Sequence, residues 1–435
     1  MTSRLARVFL WLYPTVIAVN YAIPLGLPGS PYSRLVTVLF ASVVLGAVIL
    51  HPRLEDGRWT REETVLLVLL GTMVVWGCAS ILWSPETFAT VLAVSNVLVA
   101  FLAALALILL IRRRPELLSD FAVGWLAATY LIIAFVVLDR LVGFQVPVTR
   151  LESVQANLDG SLAASATFFT NPNEMGAFLL VALPSILYLV QTWKGFHRLA
   201  AVAGVAAVLV GTTASAARVS SLAALVALVL FIVLSSGLSN QARIISLTGL
   251  GLAVLGVLAA APALLEKLST LSTALSGDHE NSRTQLLADG WDLTRLTGGR
   301  GVGAGAFNSY AQDPHLSYLG LWAFNPHNIY IELLAEYGVI IGVAFGAWLL
   351  WLGARWSTRR EFWRHRGILL GGWVGLVLIG LQNSASANWL VFWMLPISLT
   401  LISSDALRQQ PSDTPASPSD SPPHNELWGR ERIAT

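Results

Sequence analysis

The chain has 435 residues, 55% hydrophobic and 12% charged, with a mean hydropathy of +0.67 and a formal net charge of +2. No soluble domain can hide that much apolar surface, so the composition excludes a soluble enzyme or binding module and identifies an integral membrane protein. The net charge says little by itself and no nucleic-acid partner is expected. The single cysteine, Cys78, excludes an intramolecular disulfide and a cysteine-based metal cage.

Apolar stretches of roughly 18 to 22 residues, the length that crosses the hydrocarbon core, recur from one end to the other and predict about twelve helices. In chain order they run 8–24, 33–50, 64–82, 88–111, 120–142, 174–193, 198–212, 217–236, 244–264, 328–353, 367–382 and 388–404. Pro14, Pro24 and Pro184 are expected to end or kink their helices. No small-residue cleavage site follows the first span, which therefore reads as a retained helix. The fold class expected is all-α: a polytopic membrane protein whose transmembrane domain, 1–404, includes one large extracytoplasmic loop at 265–327. Residues 405–435, rich in Pro, Ser and Asp, read as a disordered cytoplasmic tail.

Short cytoplasmic loops carry the Lys/Arg excess. With the N-terminus inside, the inner loops hold Arg4 and Arg7; Arg53, Arg58 and Arg61; Arg112, Arg113 and Arg114; Lys194 and Arg198; Arg243; and Arg355, Arg359, Arg360, Arg364 and Arg366. The outer loops are nearly bare apart from Arg34, Arg150, Arg218 and a few residues in the large loop. Both termini are thus expected in the cytoplasm and the protein in the inner, or plasma, membrane.

Four polar clusters fall on the outer side, the pattern of a membrane-embedded site that faces outward. Asn171-Pro172-Asn173-Glu174 leads into the sixth helix and also reads as a helix cap. Arg218 opens the eighth helix, where charge bias disfavours arginine; it suits an anion, or else snorkels to the interface. In Asn281-Ser282-Arg283-Thr284-Gln285, Ser282 and Gln285 form a capping-box pattern that puts Arg283 in the first turn of a helix, a position unfavourable to a cation without an anion nearby. Gly299-Arg300-Gly301-Val302-Gly303-Ala304-Gly305 resembles a dinucleotide loop only superficially, since no strand precedes it and no helix obviously opens from it. It reads as a flexible turn that brings backbone close to a ligand or a neighbouring helix. His327 precedes Asn328 at the outer start of the tenth helix and has the side chain best suited to proton transfer near neutral pH. No outer segment has metal-ligand spacing, and neither a metal nor a cofactor is expected.

In this order and spacing, over roughly residues 165–345, the elements resemble the O-antigen ligase and polymerase family of polytopic glycan-transfer proteins. The matching elements are Asn171-Pro172-Asn173, the helix start at Arg218, Ser282-Arg283, Gly301-Val302-Gly303-Ala304-Gly305-Ala306-Phe307, and His327-Asn328-x-Tyr330 followed by Glu336-x-Gly338. The resemblance implies a metal-independent membrane glycosyltransferase. Its donor would be a glycan on a polyprenyl pyrophosphate at the outer leaflet, and its acceptor a lipid, glycan or protein. It further implies that Arg218 and Arg283 clamp the pyrophosphate and that His327 is the base or acceptor-orienting group. Asn171, Asn173, Asn328, Tyr330 and Arg300 would bind substrate. Ala217 stands where the family often has serine. Ligase and repeat-unit polymerase are not separated by these motifs, though the His-Asn-x-Tyr and Gly-Val-Gly elements lean towards ligase. A transporter for an anionic substrate is the reading from another class, but no internal repeat supports it.

Overall fold

The computed structural model describes residues 3–19, 31–50, 59–144, 167–169, 172–215, 217–235, 241, 244, 248, 279–310, 328–381 and 389–409. Within them the chain forms α1 (Ser3–Val19), α2 (Pro31–Leu50), α3 (Arg61–Ser80), α4 (Thr87–Arg113), α5 (Leu117–Val142), α6 (Pro172–Thr192), α7 (Gly195–Ala214), α8 (Arg218–Leu234), α9 (His279–Leu296), α10 (Ile329–Thr358), α11 (Arg366–Ile379) and α12 (Leu390–Arg408). Seven of these, α3 to α7, α10 and α12, are long and apolar enough to cross a membrane; α8, α11 and the Arg34–Gly46 part of α2 are shorter apolar helices. The protein is an all-α polytopic membrane protein. Every expected span has its helix except the ninth, 244–264, which lies outside the described residues apart from positions 244 and 248.

Pro14 and Pro184 do not end their helices: α1 and α6 run through both. Pro24 lies outside the described residues. α12 continues to Arg408, so ordered helix extends past the expected boundary at residue 404.

The centre of the bundle is α6 and α12, in which every residue from Met175 to Val190 and from Val391 to Ala406 is buried. Elsewhere close packing relies on glycine, as expected where lipid removes the hydrophobic drive between helices and van der Waals contact must replace it. A Cβ on Gly371 would lie 2.8 Å from the Ala227 carbonyl oxygen, and one on Gly367 2.7 Å from the Phe231 Cα. These contacts make α8 and α11 antiparallel. Gly372 meets Pro184, Gly375 meets Leu180, and Gly176 meets Ser215, Ala217 and Ser220. The starts of α6 and α8 and the end of α11 therefore share one end of the bundle.

The opposite end is basic. There Glu62 pairs with Arg355 and Glu63 with Arg408 (2.8 Å), Arg7 lies 3.5 Å from Asp120, and Arg112 stacks 4.1 Å over Trp59. Thr60 begins α3 with a reciprocal capping box to Glu63, which spares a buried helix start from orphaned amides.

Candidate functional site

At the less basic end the chain leaves α9 through the glycine-rich run 299–305 and is drawn into the first part of α10. Residues Leu333–Tyr337 form a π-helical turn, a wide turn that recurs at functional sites. The turn ends at Gly338, whose φ of +86° only glycine adopts without strain. Instead of continuing the helical ladder, the carbonyls of Ala335 and Glu336 accept from Val302 N (2.8 Å) and Gly303 N (3.1 Å), and Val339 N donates to the Gly299 carbonyl (2.8 Å). The buried Glu336 carboxylate takes two further amides, Gly305 N at 2.7 Å and Phe307 N at 3.4 Å.

The other side of the loop rests on the α3–α4 turn. Ala304 N donates to Ser80 Oγ (3.2 Å) and Trp83 Nε1 donates to the Gly301 carbonyl (3.0 Å). A Cβ at Gly301 would lie 2.4 Å from the Glu336 carbonyl oxygen, and φ there is +83°. The loop's glycines thus serve close approach to a neighbouring helix. The amides of residues 302–305 are all taken by protein acceptors, which leaves none of them for a phosphate. A helical turn, Phe307–Tyr310, does open from the loop, contrary to the sequence expectation, although no strand precedes it.

The start of α10 meets the end of α11. Asn328 caps α10 through its side-chain oxygen, which accepts from Tyr330 N (3.0 Å) and Ile331 N (3.3 Å). Ile329 N donates to the Gly380 carbonyl (2.8 Å), and the Tyr330 hydroxyl donates to the Val377 carbonyl (3.1 Å). Of Asn328 and Tyr330, both expected to bind substrate, Asn328 bonds to the first turn of its own helix and Tyr330 to α11. Since the end of α11 also neighbours the start of α8, the first residue of α10 and Arg218 belong to one end of the bundle. Arg218 is exposed there, behind a helix start at which Ala217 supplies no side-chain cap. Asn173 and Glu174 lie in the first turn of α6, two or three residues before the Gly176 contact with the 215–220 turn. Arg300 is exposed, its guanidinium 5.8 Å over the Trp83 ring.

α9 is helical from His279, so Ser282 lies inside the helix and cannot be its cap, and Arg283 sits beyond the first turn. The additional turn also carries Glu280, a carboxylate suited to the positive end of the helix dipole. α9 packs on the first turn and the π-turn of α10 through Leu286, Leu293, Val302, Ala306, Phe307 and Ala335. Asn171, His327 and the side chain of Arg283 lie outside the described residues. The sequence reading missed two groups at this end: Glu336, for which the only signal was its place in a motif, and Asp289, which reads as one more polar position on a loop helix.

Residues 203–346, about a third of the chain, match the O-antigen ligase family. The matched segment contains Arg218, Arg283, Arg300, His327, Asn328 and Tyr330 and ends just after the π-turn, whereas Asn171 and Asn173 precede it. Comparison with curated proteins gives no match.

Proposed function

We propose that the chain transfers a glycan from a polyprenyl-pyrophosphate carrier to an acceptor at the extracytoplasmic face, a reading supported by the match of residues 203–346 to the O-antigen ligase family of membrane glycan-transfer enzymes. The observation that carries this reading is the position of the matched segment. Arg218, Arg283 and His327 all fall within it in sequence, and among its described parts the starts of α8 and α10 and the glycine loop lie at the less basic end of the bundle, where the positive-inside rule puts the outer side.

In this mechanism Arg218 and Arg283 hold the pyrophosphate. As the bond from the anomeric carbon to the phosphate oxygen breaks, negative charge develops on the leaving group, and guanidinium forks stabilise it through charge-assisted bonds worth about 1.5–3 kcal/mol each. His327 takes the proton of the attacking acceptor hydroxyl, a contribution of about 10²–10⁴-fold for a positioned base. The exposed Arg300, on the rim above Trp83, is a secondary contact for the anionic donor. A ligase assignment is preferred to a polymerase on the His-Asn-x-Tyr and Gly-Val-Gly motifs.

The test is transfer by the reconstituted full chain from a polyprenyl-pyrophosphate-linked oligosaccharide to candidate lipid, glycan and protein acceptors, with and without EDTA. Arg283→Ala and His327→Ala are expected to lose transfer while inserting normally. Arg283→Lys is expected to remain poor, since a point charge cannot reproduce a bidentate fork. Full transfer by either alanine variant would remove that residue from the mechanism. Substrate flux through proteoliposomes without transfer to any acceptor would identify a transporter instead.

A further inference from the structure

At the basic end of the bundle a short connector joins α10, which ends at Thr358, to α11, which begins at Arg366. From Arg355 to Arg366 the chain carries five arginines and one acid, Glu361. The positive-inside bias asks for charge at such a place and for nothing more. Here the charge comes with a fixed fold and an exposed indole.

The connector makes one 3-10 turn, Arg360–Phe362, braced on both sides. Arg359 N donates to the Arg355 carbonyl (3.1 Å) and His365 N to the Phe362 carbonyl (3.0 Å). The Arg366 guanidinium donates to the Arg359 carbonyl (3.1 Å), Arg364 donates to Gln409 Oε1 (2.8 Å), and Arg355 pairs with Glu62. Phe362 is buried, with the Arg355 guanidinium 5.5 Å over its ring. Three of the five arginines therefore hold the connector in place. The other two, Arg359 and Arg360, are exposed, and among the described residues their side chains make no hydrogen bond or ion pair. Trp363, next to the buried Phe362, is 63% exposed.

Two cations and an indole therefore project from a rigid turn that directly follows a membrane-spanning helix. A connector this short keeps them close to the ends of α10 and α11, level with the lipid headgroups. Tryptophan is favoured at that depth because its ring is apolar and its N–H polar. A guanidinium there meets phosphate through charge-assisted, bidentate bonds, and Glu361 is the only acid of the stretch that opposes an anion.

We propose that Arg359, Arg360 and Trp363 bind the headgroup of an anionic phospholipid in the leaflet at the basic end, the guanidiniums holding its phosphate and the indole lying against its glycerol and upper acyl chain. Lipid held in this way fixes the depth of α10 and α11 in the bilayer. It does not depend on the transfer reaction.

The experiment titrates the full chain, purified in a neutral detergent, with phosphatidylglycerol or phosphatidylcholine and reads Tm. The variants are Arg359→Gln/Arg360→Gln, Trp363→Ser and a control of equal charge, Arg4→Gln/Arg198→Gln, which removes two exposed arginines elsewhere at the same end. Phosphatidylglycerol is expected to raise the wild-type and control Tm alike, phosphatidylcholine to leave both unchanged, and added salt to weaken the response. The lipid concentration for half the rise should increase about 25-fold in Arg359→Gln/Arg360→Gln, at about fivefold for each surface charge. For Trp363→Ser the increase should be about 10-fold. Equal weakening in the control would reduce the site to diffuse surface charge, and an unchanged response in Arg359→Gln/Arg360→Gln would remove the arginines from it. A lower Tm of that variant before lipid is added would make them structural. A rise of the same size with phosphatidylcholine, or with soluble glycerol phosphate or polyglutamate, would replace the anionic lipid by a neutral lipid, a free phosphate or an acidic partner. Each of these results overturns the proposal.

Discussion

His365 illustrates how a single buried side chain fixes a protonation state. Its Nδ1 lies 2.7 Å from Gln191 Oε1, while Gln191 Nε2 donates to the Arg364 carbonyl at 2.5 Å, so the amide presents its oxygen to the ring and Nδ1 carries the proton. Nε2 is buried without a partner, and burial, reinforced by the charge of Arg364, lowers the imidazole to about 4. The unfolded chain titrates near the ordinary 6.5 and so binds more protons than the folded protein between about pH 4 and about pH 6.5. Stability should therefore be complete above about pH 6.5 and be lost progressively as the pH falls towards about 4. Thermal unfolding in detergent across that range should give a falling Tm for the wild type and a flatter curve for His365→Gln; parallel curves would dismiss the effect. Single residues were unevenly legible in the sequence. Asn328 and Tyr330 stand out by motif, yet their bonds run to their own helix and to the carbonyl of Val377, because a motif marks position and not what the side chain meets. Asp289 shows the reverse: nothing in its neighbourhood along the chain announces that both oxygens will be sealed between two helices.

At the scale of elements, the spans were readable because the bilayer imposes a length and an apolar composition on any helix that crosses it, whatever its neighbours. What could not be read was contact. The helix before Arg283 begins at His279 and not at Ser282, since three polar residues carry no apolar periodicity to mark them as helical. Likewise the π-turn at Leu333–Tyr337 follows from a loop more than thirty residues earlier in the chain that takes the carbonyls of Ala335 and Glu336, a long-range pairing without local signature. The α8–α11 seam depends on such a pairing as well. Gly371 places its Cα against the Ala227 backbone, with 2.8 to 3.2 Å available to a Cβ, and backbone cannot yield as a flexible side chain can. Gly371→Leu is expected to separate these helices, cost about 1–3 kcal/mol and disturb the end where α11 receives α10. Gly346, with open space around its Cβ position, provides the control: Gly346→Leu should leave Tm and transfer near the wild type. Equal loss in both variants would show that the bundle tolerates neither substitution for reasons unrelated to the seam.

For the molecule as a whole, the two ends differ in a way that composition alone does not express. One end collects arginines and pairs two of them with buried acids, Glu62–Arg355 and Glu63–Arg408; the other collects helix starts, the glycine loop and the α9–α10 seam. The positive-inside rule converts that asymmetry into an orientation: the arginine end in the cytoplasm and the loop end outside. The orientation decides whether the proposed chemistry is possible, because a carrier-linked glycan held at the outer leaflet can reach Arg218 and the start of α10 only if that end faces out. Cys78 is the sole cysteine, so Cys78→Ser yields a cysteine-free background in which new cysteines can be placed singly. Thr87, exposed at the start of α4 near the glycine loop, and Ser357, exposed in the last turn of α10, mark the two ends. In intact cells a membrane-impermeant maleimide should label Thr87→Cys and spare Ser357→Cys, which should react only after permeabilisation. The opposite pattern would put the loop end in the cytoplasm and, with it, rule out transfer at the outer face whatever the arginines and the histidine can do.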